Sequence, residues 1–376
     1  MDDDTDDTDD TDDTDGSDDT NQPVEVVTPK QPSNDNGSSS GTTKTPVIKA
    51  GEAGVNNYTV ATDGTYLYFG TILDGDEPGR GCPAVLRKKL DGTGNAKVIW
   101  KGSREQTARN PLVVFANSST VVFVHIEVEK SQETVYSIGT DGTGLNTIVS
   151  TMFADDTPTM VPVVSGNQVF YGRVTTDGSE LCKCDLDGSN HTAIVHSSES
   201  DPALVTQPLP EVVVGDNVYY TMFGEFGNDV RLCVATYAGP TTGHEVVRSS
   251  GGRARIAGRY IYDIEGLDLV RYDLTGTNRE VVKSFAGDYS DAVIQNLNST
   301  YAFVSATGAA SGKTYALRVD LSSGSEKELD YYVGDVGAPE LVGEYVVSND
   351  LHGTIAVLDI SENEFNTFWT VTEDVD

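Results

Sequence analysis

The sequence predicts an all-β fold, a seven-bladed β-propeller of four-stranded antiparallel blades preceded by a disordered acidic tether. Three observations carry this expectation. Val, Ile, Thr and Tyr dominate the apolar runs, and no long segment follows a helical period. A turn-plus-strand unit recurs seven times, and a hairpin built on Asp-Gly-like turns falls between successive copies. Four short strands in every roughly 40 to 50 residues mark a propeller blade.

The tether comes first. The chain has 376 residues and a net charge of −34, from 59 acidic and 25 basic side chains. Residues 1–20 hold twelve Asp in a near-repeat of Asp-Asp-Thr, with no Lys, Arg or Glu. Residues 1–50 are too poor in apolar side chains to offset the entropy of ordering them, and like charges extend such a chain. The expected division is a tether over 1–50 and a propeller over 51–376. A Thr/Asp/Ser/Pro stretch before a compact domain resembles the spacer of bacterial surface lipoproteins. Met1-Asp2-Asp3 offers neither a charged n-region nor an apolar h-region. The expectation is therefore an extracellular, cell-surface protein whose export signal, and any lipid anchor, belonged to a removed segment.

The body then repeats. The first unit reads Gly64-Thr65-Tyr66-Leu67-Tyr68, Ser119 to Phe123, Gly166 to Tyr171, Gly215 to Tyr220, Gly258 to Tyr262, Asn298 to Phe303 and Gly343 to Val347. The second unit is clearest at Leu90-Asp91-Gly92, Thr140-Asp141-Gly142, Asp185-Leu186-Asp187-Gly188 and Asp273-Leu274-Thr275-Gly276, and weaker at Ala238-Gly239, Asp320 to Gly324 and Asp359 to Asn363. Gly and Asn stand there because tight hairpin turns need positive φ. Two hairpins per period give strands A, B, C and D. The A–B and C–D turns share one face of the disc, and the B–C loops and blade crossings share the other. Six blades plus a partial one is the competing count. Pro46-Val47-Ile48-Lys49 is a candidate extra strand for the last blade.

Loop length separates the faces. The longer connections are Leu73 to Pro83, Lys101 to Pro111, Ser197 to Pro210, Met222 to Asp229 and Ser305 to Lys313, all on the crossover face. Long loops on a rigid scaffold are where binding concentrates. The candidate binding residues there are Arg80, Arg104 and Arg109, scarce cations in an acidic chain, with Asp155, Asp156, Glu225 and Phe226. Arginines, acids and an aromatic around a propeller mouth suit a glycan or a protein ligand.

Asp185-Leu186-Asp187-Gly188-Ser189-Asn190, Asp273-Leu274-Thr275-Gly276-Thr277-Asn278 and the Tyr-rich strands before them resemble the propellers of the low-density-lipoprotein-receptor type. They look still more like bacterial surface propellers of uncharacterised function. The likeness spans roughly 51–376 and lies in turn and strand chemistry, so it implies an extracellular binding or scaffolding role and transfers no site. The receptor-type propellers carry a Tyr-Trp-Thr-Asp signature and six blades. This chain has no such tetrapeptide.

Several chemistries lack their residues. Two Trp are too few for sialidase-type Asp-boxes or quinone-dependent propellers, and the WD40 signatures, a Gly-x-Ser-x-Gly elbow, a Walker loop and a dinucleotide fingerprint are missing. The net charge disfavours nucleic acid, and no apolar run is long enough to span a membrane. His125, His191, His196, His244 and His352 form no metal-ligand pattern and are expected at the surface. Cys182-Lys183-Cys184 puts two thiols on one strand face without the second pair that zinc needs. With Cys82 and Cys233, these are expected as buried free thiols or at most one disulfide. No cofactor or metal site is expected. Calcium is the ion the acidic loops would suit, though Gly188 arrives too early for an EF-hand register. The functional expectation is a monomeric, non-catalytic binding or scaffolding module. The alternatives are a polysaccharide-active enzyme, a lyase or glycosidase with carboxylates at the channel mouth, and a purely structural component of a surface assembly.

Overall fold

The structure is a computed structural model and describes residues 59–75, 80–152, 161–175, 178–198, 208–223, 229–238, 243–249, 252–329, 340–342, 345–349, 354–359, 364–370 and 375. The proposed tether and the Pro46–Lys49 segment lie outside the described residues.

Seven four-stranded antiparallel sheets follow one another along the chain, each with its strands in sequence order. Blade 1 is β1 (Val60–Thr62), β2 (Tyr66–Leu73), β3 (Cys82–Lys89) and β4 (Lys97–Lys101). Blade 2 is β5 (Leu112–Ala116), β6 (Thr120–Glu127), β7 (Gln132–Gly139) and β8 (Asn146–Met152). Blade 3 is β9 (Val163–Ser165), β10 (Gln168–Thr175), β11 (Gly178–Asp185) and β12 (Thr192–Ser198). Blade 4 is β13 (Leu209–Val214), β14 (Asn217–Phe223), β15 (Val230–Thr236) and β16 (His244–Ser249). Blade 5 is β17 (Arg255–Ala257), β18 (Tyr260–Glu265), β19 (Asp268–Asp273) and β20 (Glu280–Ser284). Blade 6 is β21 (Tyr289–Leu297), β22 (Tyr301–Gly308), β23 (Thr314–Asp320) and β24 (Glu326–Leu329). Blade 7 is β25 (Glu340–Val342), β26 (Tyr345–Asn349), β27 (Thr354–Asp359) and β28 (Glu364–Thr370). The count is seven.

The first strands β1, β5, β9, β13, β17, β21 and β25 touch in that order, and β25 returns to β1, so they line the centre of a closed ring. The two short turns of a blade share a face, as their mutual hydrogen bonds show. Leu90 N donates to Thr65 O (3.0 Å), Leu186 N to Asn167 O (3.0 Å) and Leu321 N to Thr300 O (2.9 Å).

The core is divided among the seven junctions between blades. Second strands read as near-continuous apolar runs, not as alternating ones, because a blade is covered on both faces. In β2, Leu67 and Phe69 pack towards blade 7 whereas Tyr68 packs towards blade 2. In β6, Val121 and Phe123 face blade 1, and Val122 and Val124 face blade 3. In β26, Val346 faces blade 6 while Tyr345 and Val347 complete the junction with blade 1. Among the described residues no sheet is shared between chain ends. The ring closes by apolar packing of blade 7 on blade 1, with an isolated parallel bridge between Ala96 and Val375.

Candidate functional site on the crossover face

The longest described connections meet where blade 1 joins blade 2. Gly81, just before β3, sits at φ +149, and a Cβ there would lie 2.5 Å from Leu73 O, so only glycine fits. This lets Gly81 and Glu105 pair backbone to backbone, with Glu105 N donating to Gly81 O (2.9 Å) and Gly81 N to Glu105 O (3.2 Å). The β4–β5 crossing is thereby pinned to the β2–β3 loop. From the other side Glu129, in the 3-10 turn Val128–Lys130, accepts from Gln106 N (2.7 Å) and Thr107 N (3.3 Å).

Held between these clamps, the Glu105 side chain turns towards the end of β6. His125 Nε2 lies 3.0 Å from Glu105 Oε1, and both side chains are at least nine-tenths buried. The expectation that His125 is a surface residue is therefore corrected. It packs beside Trp100, ring centroids 5.1 Å apart, in the wall between the two blades. Glu127 lies two residues further along β6, on the same strand face. One ligand-type atom from each of Glu105, His125 and Glu127 falls within 4.8 Å of the others. Burial, reinforced by the charges of Glu127 and Glu129, pushes the Glu105 carboxyl up to about 7. Burial also lowers the His125 imidazole. Both Glu105 oxygens and His125 Nδ1 are buried without a hydrogen-bond partner. Lys130 Nζ reaches Glu127 Oε1 at 2.5 Å on the solvent side.

Cations ring the same junction. Residues 80–109 hold eight Lys or Arg against two acids. Of these cations Arg80, Lys101, Arg104 and Arg109 lie at the crossover-face end, whereas Arg87, Lys88, Lys89 and Lys97 lie in β3 and β4 towards the opposite face. Arg80, Arg104 and Arg109 are all exposed. Arg80 and Arg104 flank the bridged pair Gly81 and Glu105, and Arg104 Nη1 donates to Asp74 O (3.0 Å). Lys101 forms an ion pair with the Asp74 carboxylate. Arg109 stands further along the same crossing. Asp155, Asp156, Glu225 and Phe226 lie outside the described residues.

The remaining candidates resolve into structural roles. Asp187 accepts from Ser189 N (2.9 Å) and Ser189 Oγ (2.6 Å), and Asp185 from Asn190 Nδ2 (2.7 Å), so both are turn formers. All four cysteines are free. Cys182 and Cys184 belong to the blade 2–3 core and Cys233 to the blade 3–4 core. Burial pushes the Cys182 and Cys184 thiols up to about 12, which makes them poor nucleophiles. The buried carboxylates of the inner strands tie blades together. Glu211 is held by Arg253 Nε (2.6 Å), and Glu340 by Asn296 Nδ2 (2.7 Å). On the short-turn face a cavity of about 410 Å³ between blades 5 and 6 is lined by Tyr260, Tyr262, Arg259 and Arg271. Arg271 there is already stacked on Tyr260 and bonded to Glu280.

No known protein family's sequence profile matches the chain, and no curated protein sequence matches it. Solved structures do. A structure described in an analysis of two prolyl endopeptidases superposes with a TM-score of 0.59 at 10% identity, over 86% of this chain and 50% of that one. A puromycin-hydrolysing peptidase of Mycobacterium tuberculosis gives 0.57 at 13%, over 87% and 55%. The β-propeller domain of the Trilobed protease from Pyrococcus furiosus, described as having an open velcro topology, gives 0.54 at 10%, over 86% and 100%. The likeness is one of fold. The chain spans about half the length of the two peptidases. Among the described residues this chain's ring closes without an exchanged strand.

Proposed function

We propose that this propeller is a non-catalytic binding module that takes an anionic ligand, a glycan or an acidic protein segment, on its crossover face at the blade 1–2 junction. The observation that carries the reading is the concentration of exposed Arg80, Lys101, Arg104 and Arg109 on one rigid junction of a molecule with net charge −34. An acidic molecule repels anions generally, so a local basic patch confers selectivity for position as well as charge. The Asp/Thr/Ser-rich first fifty residues support display outside the cell, where such ligands are met.

Binding of uronate-containing or sulfated glycans and of acidic peptides to the full chain tests this. Arg104→Glu combined with Arg109→Glu is expected to weaken binding at least tenfold while leaving the melting temperature unchanged, and salt is expected to weaken it in parallel. Equal binding by the double variant sinks the assignment.

A further inference from the structure

We propose that Glu105, His125 and Glu127 form a divalent transition-metal site, of the zinc class, set into the wall between blades 1 and 2. Beyond the anion-binding reading, which needs no metal, the inference rests on three observations of its own. The first is the donor set. One imidazole and two carboxylates suit zinc-like ions, whereas the imidazole disfavours calcium and magnesium. The second is placement. Metal–ligand bonds of about 2.0 to 2.2 Å set neighbouring donors about 3 to 3.5 Å apart. Glu105 Oε1 and His125 Nε2 are 3.0 Å apart, and the Glu127 donor completes a group within 4.8 Å.

The third is the state of the buried atoms. At 3.0 Å the imidazole and carboxylate are not aligned as a hydrogen bond, and both Glu105 oxygens are left buried and unpartnered. Two donors side by side without a hydrogen bond between them are placed as ligands of one ion are. Unsatisfied buried carboxylate oxygens are otherwise costly. An ion there offsets that cost and the repulsion among Glu105, Glu127 and Glu129. His125 Nδ1 is also without a partner, so Nε2 or Nδ1 supplies the bond according to ring orientation. The scaffold is rigid. Glu105 is fixed by its backbone pairing with Gly81, and His125 and Glu127 by the β6–β7 ladder. Three protein ligands leave the remaining coordination positions to water or to an anionic group on the solvent side, where Lys130 stands beside Glu127.

The test uses Co²⁺ as probe on the full chain. Trp100, 5.1 Å from the His125 ring, reports a paramagnetic ion by fluorescence quenching, and Trp369→Phe leaves it the single indole. Visible absorption of Co²⁺ is read in parallel on the unaltered chain, with circular dichroism as the check on folding. One Co²⁺ per chain is expected to quench Trp100 and to be displaced by Zn²⁺ but not by Ca²⁺. Glu127→Gln, at the rim of the site, and His125→Gln are each expected to weaken binding at least tenfold. Lys130→Gln, which removes a competitor for Glu127, is expected to tighten it severalfold, an effect a purely structural cluster would not show. Absence of quenching and absorption below millimolar Co²⁺ overturns the proposal. So does binding of unchanged affinity in the folded Glu127→Gln and His125→Gln chains, since such ions are held by acids elsewhere.

Discussion

Gly276 and Gly324 show how single residues fix the spacing of blades. Both occupy the C–D turn at positive φ, +76 and +67. A Cβ at Gly276 would lie 2.2 Å from Val246 O, and one at Gly324 the same distance from Val282 O, each in the outer strand of the preceding blade. Gly166 has a similar φ of +59 but open space around it. Gly166→Ala therefore carries only the left-handed backbone cost of about 1 to 2 kcal/mol. Gly276→Ala adds displacement of a neighbouring blade and is expected to cost at least about twice as much in urea unfolding. Asp263 is a second such case. It is buried in β18, accepts from Ser249 Oγ at 2.5 Å and leaves its other oxygen unpartnered. Burial chiefly, then the charge of Glu265, pushes its carboxyl up to about 6. The folded state thus binds the proton more tightly than the unfolded one. Its contribution is fullest below about pH 4 and is lost as pH rises to about 6. Asp263→Asn is expected to remove this fall, gaining on the order of 2 kcal/mol at pH 7 relative to pH 4. A pH series of denaturation curves for the two chains measures it.

At the scale of the element, the C–D turn is a repeated side-chain cap. Asp91, Asp141, Asp187, Asp273 and Asp320 each accept from the backbone N–H two residues on. Hydrogen bonds from Thr275, Thr277 and Asn278 hold the Asp273 carboxyl well below the usual range, and those of Ser322 and Ser323 lower Asp320 to about 2. The sign is opposite to that of Asp263. These caps stabilise the fold above the ordinary carboxylate pKa and lose that effect as pH falls towards 2, so acid unfolding is expected to begin there. The third strands, which hold all four cysteines, carry the other element-scale prediction. Cys182, Cys184 and Cys233 sit in two inter-blade cores with raised thiols, whereas Cys82 is half-buried at the start of β3. A thiol reagent at pH 8 is expected to modify at most Cys82 in the folded protein and all four after denaturation. Fast reaction of three or four thiols under native conditions would contradict this packing.

At the scale of the whole molecule, seven equivalent junctions share the load and one of them closes the ring. Blade 7 meets blade 1 through Tyr345, Val347, Ile355 and Val357 against Leu67, Phe69 and Leu86, without a sheet hydrogen-bond ladder between the blades. That junction is the only tie between the two ends of the described ring. A buried charge in it is expected to open the disc. Val347→Asp should destabilise by at least about 3 to 4 kcal/mol, because an unpaired carboxylate enters an apolar core. Val174→Asp, at an exposed position of β10, should stay within about 0.5 kcal/mol. Equal melting temperatures for the two variants would mean that the closing junction does not limit stability.

Blade number, hairpin turns and the long crossings Lys101 to Pro111 and Ser197 to Pro210 are legible in the sequence because each is local. A tight turn needs Gly, Asn or Asp within a few residues, and the period counts the copies. The Asp185–Asn190 turn is legible for the same reason, and so are the exposed Arg80, Arg104 and Arg109. The expected contrast in loop length between faces is not general. Two residues join β10 to β11 and β18 to β19, fewer than in any C–D turn, and Ser305 to Gly308 belongs to β22. His125-Ile126-Glu127 carries a faint signal, two ligand types on one face at strand spacing, but nothing in the chain marks Glu105 as their neighbour. That meeting joins a side chain of the crossing between two blades to two of β6, and only the packing of the β4–β5 crossing against β6 brings them together. Closure by apolar contact is likewise a property of the assembled ring, since the residues of β26 that meet β2 read like those of every other blade. Sequence by itself determined the repeating unit. Tertiary structure decided which acids are buried, which are tied between blades and which converge on one point, because burial and charge proximity arise between elements distant along the chain.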